Sequence, residues 1–168
     1  MTTPKSSSFR GWWNDRASGQ LDLYYGSGTG ASPVEVQRVD INGTTIVTGD
    51  LALDDGTVYL YDGGEETQAD SVTTAVTINT NAGQITTYTS TLAAAAEEAF
   101  TVTNNQVAVT DVVIANVATY GGAGTPAVFV TTVANGSFQI TKANLHAANA
   151  LDDVMVINFA IIKCSSTT

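Results

Sequence analysis

The chain has 168 residues, of which 43% are hydrophobic and only 13% charged, and its formal net charge is −10 at pH 7. That length suits one ordinary domain or two small β modules, and it is enough to bury a real core. With 6 Lys and Arg against 16 Asp and Glu, no basic stripe can neutralise a phosphate backbone, so nucleic acid is excluded as the expected partner.

Residues 1–8 are polar and Ser/Thr-rich, with Pro4 opposing helix, and read as an extended arm that orders only against something else. The opening MTTPKSSSFRGWW has no apolar run or cleavage pattern, and no stretch reaches membrane-spanning length. The expectation is a soluble chain with no membrane partner and no classical secretion signal. Between residues 9 and 63, short β-like runs alternate with tight turn signals. Leu21, Leu23 and Tyr25 alternate with Asp22 and Tyr24, and Val34 and Val36 resume the pattern after a GSGTG break. Asn42-Gly43, before Ile46 and Val47, is the strongest short hairpin signal. Asp54-Asp55-Gly56 predicts another hairpin, between 51–53 and 58–61.

GGEETQAD, at 64–71, is almost devoid of apolar residues and reads as a hinge, dividing the chain into residues 1–66 and 67–168. Strands are predicted at 72–79, 84–92, 99–103, 107–117, 127–133, 137–143 and 154–164, with turns such as Asn135-Gly136 between them. The fold class is all-β: an antiparallel β-sandwich or jelly-roll-like C-terminal domain preceded by an extended N-terminal arm with small β-hairpins. Residues 92–99, LAAAAEEA, are good helix formers but too few for a stable helix, and read as a loop or single helical turn crossing between sheets.

Composition also changes along the chain. The first seventy residues hold about 11 of the acidic residues and the basic Lys5, Arg10, Arg16 and Arg38, whereas the remainder is nearly uncharged. A β surface with few charges is poorly defended against edge pairing unless other subunits cover it, so self-association is expected. The closing run VMVINFAIIKC strengthens this, because a continuous apolar strand implies burial of both faces. A neighbouring copy covering Val154, Val156, Ile157, Phe159 and Ile161, or the face opposite Ile157, Phe159 and Ile161, provides that burial; a central position under a loop would also serve. The single Cys164 excludes an intrachain disulfide and reads as a small apolar residue.

No residue is assigned a catalytic, cofactor-binding or metal-binding role. His146 is the only histidine, and a triad with Asp152 lacks the Gly-x-Ser-x-Gly turn that would place a nucleophile. The acid pairs Asp54-Asp55, Glu65-Glu66 and Asp152-Asp153 lack the alternating ligand spacing of a calcium loop and read as solvated turn charges. GSGTG lacks the Lys and the strand-to-helix setting of a phosphate loop. Asn42 and Asn135 match glycosylation acceptors formally but read as turns. The single aromatic concentration is Phe9, Trp12, Trp13, Tyr24 and Tyr25, beside Arg10 and Arg16. Aromatic and Arg residues dominate binding hot spots, although the same residues also suit a small module's core.

The opening FRGWWNDRASGQLDLYY loosely resembles the start of small structural proteins of tailed bacteriophages. More extensively, residues 72–163 resemble a β domain that recurs in phage virion proteins. The shared features are an A-x-G-S-F-x-I hairpin, here Ala134 to Ile140, and a closing I-N-F-x-I-I-K strand, here Ile157 to Lys163. The resemblance implies a capsid decoration (cement) or head-fibre protein on the virion surface. It further implies a homotrimer that partners the major capsid protein, with Phe9, Arg10, Trp12, Trp13, Arg16, Tyr24 and Tyr25 docking on the capsid. The alternative is a tail-fibre module that binds a receptor or host-surface glycan through turns such as 121–126.

Overall fold

The computed structural model describes residues 63–164 in full together with Val58 and Leu60. Of the first unit it describes only the strand backbones Arg10–Asp15 (β1), Gln20–Tyr25 (β2), Val34–Val39 (β3) and Thr45–Val47 (β4). These four strands form an antiparallel sheet in the order β1-β2-β3-β4. The expected hairpin around Asn42-Gly43 is present as the β3/β4 pair, with Gln37 opposite Val47 and Val39 opposite Thr45. The turn itself lies outside the described residues, as do GSGTG, the Asp54-Asp55-Gly56 hairpin signal and residues 1–8.

The chain divides into the units Met1–Thr57 and Val58–Thr168, so the expected boundary after residue 66 is corrected to an earlier position. The reason is that the predicted hinge is a strand. Gly63–Thr67 (β5) pairs in parallel with Ala82–Thr86 (β7), and Gln68 just beyond it is buried. Its side chain makes that burial tolerable by donating to Val72 O and Thr74 O and accepting from the Tyr88 amide.

The second unit is a β-sandwich of two four-stranded sheets. One has the order β10-β11-β8-β6, comprising Pro126–Ala134 (β10), Ser137–Asn144 (β11), Glu97–Thr103 (β8) and Val76–Thr77 (β6). The other has the order β5-β7-β12-β9, with Met155–Ile162 (β12) and Val112–Tyr120 (β9). Both sheets are mixed rather than purely antiparallel, because β5/β7 and β6/β8 are parallel pairs. β9 runs beside β10, and β5 approaches β6, so each edge of one sheet lies near an edge of the other.

Period-two alternation sets the core. Phe100, Val102, Phe138 and Ile140 point inward from the first sheet and meet Ile85, Ile157, Phe159 and Ile161 from the second. Each such side chain contributes about 1.5–3 kcal/mol by leaving water. The Phe138 and Phe159 rings meet across the layers, 5.3 Å between centroids and tilted by 53°. Gly83 makes room for this packing: a Cβ there would lie 2.8 Å from Gly64 O and 2.9 Å from the Phe159 ring.

The β10/β11 hairpin turns at Asn135-Gly136, where Gly136 takes φ of 82°. The helix-forming stretch at 92–99 is not helical. Residues 93–96 make a tight turn with Ala95 at φ of 57°, and Glu97 and Glu98 already belong to β8. The turn is held by Asn144, whose buried side chain donates to Leu92 O, Ala93 O and Asn149 O and accepts from the Thr125 and His146 amides. One fully satisfied amide thus ties together three loops at one end of the sandwich.

Candidate functional site

The expected interface strand resolves into two faces with different roles. Along β12, Met155, Ile157, Phe159 and Ile161 are buried in the chain's own core, whereas Val156, Asn158, Ala160 and Ile162 project from the opposite face of the sheet. Ile157, Phe159 and Ile161 are therefore corrected from subunit contacts to core residues. They are 0–4% exposed within a single chain and leave nothing for a second copy to cover. Val156 is half-buried and Val154 is 36% exposed, so these two remain accessible.

Strand register arranges the outward face in rows. Thr67, Thr86, Val156 and Thr119 form one row; Glu65, Gln84, Asn158 and Asn116 form the next. Ala82, Ala160 and Ile114 follow, and then Ile162 with Val112. The last two rows are wholly apolar, and Val112, Ile114 and Ile162 are each about half exposed. Val58 and Leu60, 68% and 49% exposed, border the same region, where a shallow groove of about 570 Å³ also touches Asn81 and Lys163. The result is an exposed strip of branched apolar side chains on a domain whose core lies on the other side of the sheet.

Two electrostatic details keep the strip free of net charge. The Lys163 ammonium is engaged by Asp111 and by Gln106 O. In the adjoining amide row, Gln84 Nε2 donates to Asn158 Oδ1 at 2.9 Å, and Asn116 Nδ2 donates to Val117 O. The Asn158 NH2 and the Asn116 carbonyl oxygen have no partner among the described residues. Asn81 lines the groove, and its Oδ1 is shielded from solvent and also lacks a partner among the described residues. An unmet acceptor of this kind costs about 1–3 kcal/mol.

Asp111 also anchors the end of the last strand. Its carboxylate accepts from the Lys163 ammonium, the Ala108 amide and the Cys164 amide, and these bonds lower its pKa to about 2 from an ordinary 3.8, with Lys163 the largest cause. Because the folded value is depressed, the anchor's contribution is complete above about pH 4 and disappears as pH falls through about 2. Asp111→Asn is expected to be less stable than the parent at neutral pH. It should also lose less stability than the parent between pH 4 and pH 2, as measured by urea unfolding across that window.

Arg10, Trp12 and Trp13 lie on β1, and Tyr24 and Tyr25 on β2, with Arg10 opposite Tyr25 and Trp12 opposite Leu23. Phe9 and Arg16 lie outside the described residues. His146 and Asp152 serve separate loops. His146 Nδ1 accepts from the Ala148 and Asn149 amides. Asp152 Oδ1 accepts from the Ala123 amide, and the Asp152 amide donates to the Tyr120 hydroxyl, which itself donates to Ala123 O. This network braces the turn at 121–126. Glu65 and Glu66 are exposed on edge strand β5, where charge discourages further strand pairing. Among the described residues, no group of three or more His, Cys, Asp or Glu side chains converges as a metal site would require.

Sequence reasoning left the contact face of the last strand open and did not single out Val112 and Ile114. The signal was present in β9, where VVIANV is as continuously apolar as the last strand with which it pairs. Comparisons with protein-family models, with curated proteins and with solved structures find no match to this chain.

Proposed function

We propose that this chain is a structural subunit of a tailed-bacteriophage virion, a capsid decoration (cement) or head-fibre protein, and performs no catalytic step. The observation that carries an assembly role is the apolar strip of Val112, Ile114, Ala160 and Ile162 on the outside of a sheet whose core is complete without it. The placement of that strip on a virion rests on the resemblance of the Ala134–Ile140 and Ile157–Lys163 segments. Those segments form the β10/β11 hairpin and the last strand of the sandwich.

In this reading the N-terminal sheet docks on the major capsid protein through the region of Trp12, Trp13, Tyr24 and Tyr25. A protein that binds only the assembled lattice stabilises it by mass action. Trp12→Ala and Trp13→Ala are expected to abolish co-sedimentation with isolated capsids while leaving the sandwich folded, as judged by far-ultraviolet circular dichroism. Undiminished capsid binding by both variants contradicts the assigned docking region, and absence of binding by the parent chain contradicts the function.

A further inference from the structure

The geometry points to a second copy of this chain as the occupant of the apolar strip, in a two-fold, face-to-face packing of the β5-β7-β12-β9 sheets. This deepens the assembly reading given above and rests on it.

Charge selects the occupant. The chain carries a net charge of −10, so two copies repel one another over most approaches. The outward positions of β7, β9 and β12 are an exception, because they carry no carboxylate; Glu65 stands beyond them on the edge strand. Two copies can therefore approach through this face without opposing acids at its centre. A strongly basic partner would gain little from it, since no acid there would answer its charge.

Hydrogen bonding selects the same occupant. A sheet face packed on itself by a two-fold axis must be its own complement. An amide row meets this condition, because every Asn and Gln both donates and accepts. The Asn158 NH2 of one copy and the Asn116 carbonyl oxygen of the other, neither of which has a partner among the described residues, are the two halves of such a contact, next to apolar rows that interdigitate as two sheet faces do about 10 Å apart. A three-fold arrangement joins two different patches, and the self-complementary face provides only one. The structure thus favours pairs over the trimer implied by the family resemblance.

Native mass spectrometry and sedimentation across a concentration series test the inference. The full-length parent is expected at twice the 17.4 kDa subunit mass. Ile114→Asp is expected to be monomeric. Asn158→Asp, which retains an acceptor for Gln84, should also be monomeric, and both should show unchanged circular dichroism. Thr101→Asp, on the outer face of the opposite sheet, should remain dimeric. A parent that is monomeric or trimeric, dimers that survive both strip variants, or equal dissociation by Thr101→Asp overturns the inference. A dimer that never binds capsids overturns the virion assignment and leaves the pairing intact, whereas a monomer that decorates capsids does the reverse.

Discussion

Phe159→Ala is expected to destabilise the sandwich by about 4 kcal/mol, the usual cost of deleting a buried aromatic ring and leaving a cavity. The residue is 4% exposed and its ring packs on Phe138 across the layers, so the loss includes the aromatic pair, worth about 0.5–1.5 kcal/mol. Against a typical total of about 5–15 kcal/mol, that is a large fraction. Ile162→Ala, on the opposite face of the same strand and 50% exposed, is expected to cost under about 1 kcal/mol when the chain is dilute enough to be monomeric. Urea midpoints of the two variants measure the asymmetry directly. Equal losses would mean that both faces of the strand are buried within one chain.

The second large effect concerns an ion pair inside the sandwich. Lys142 on β11 and Glu98 on β8 are direct cross-strand partners on the face that also carries Ile140 and Phe100. Their side chains are only 5% and 15% exposed. Lys142→Met strands a carboxylate whose remaining side-chain partner is the Ser90 hydroxyl at 3.4 Å, and is expected to cost on the order of 3 kcal/mol. The double variant Lys142→Met/Glu98→Leu removes both desolvation costs and should recover most of that loss. A double-mutant cycle by chemical denaturation checks this; a neutral single variant would show that the pair is solvated.

These two cases show where the sequence was legible. Short β-like runs between turn signals located β8, β10 and β11 to within a few residues, and the Asn135-Gly136 turn fixes the hairpin register. GGEET did not read as a strand because nothing in it is apolar. What holds it is a parallel ladder to β7 and the close approach of Gly64 to Gly83, which depend on residues distant in sequence. The helix-forming LAAAAEEA lost its propensity to tertiary context, since Glu98 pairs across to Lys142 and Asn144 fastens the preceding turn. Unbroken apolarity in the last strand was detectable, but its meaning was not. A sequence cannot distinguish an apolar face covered within the chain from one left open, and only the strand register separated Ile157, Phe159 and Ile161 from Ala160 and Ile162.

The N-terminal aromatic residues were conspicuous in the sequence, and strand register places Trp12 opposite Leu23 and Arg10 opposite Tyr25 on two adjacent strands. Their proposed task and that of the strip are separable. The first fastens the chain to a lattice, and the second joins copies to each other. Copies held on a lattice meet at high effective concentration, so even a modest pairing interface would be populated there.

Imaging intact virions by electron cryo-microscopy tests the central claim most directly. The expected result is density for this chain repeated at regular positions over the head. Density confined to the tail, or virions that lack the chain altogether, would contradict it.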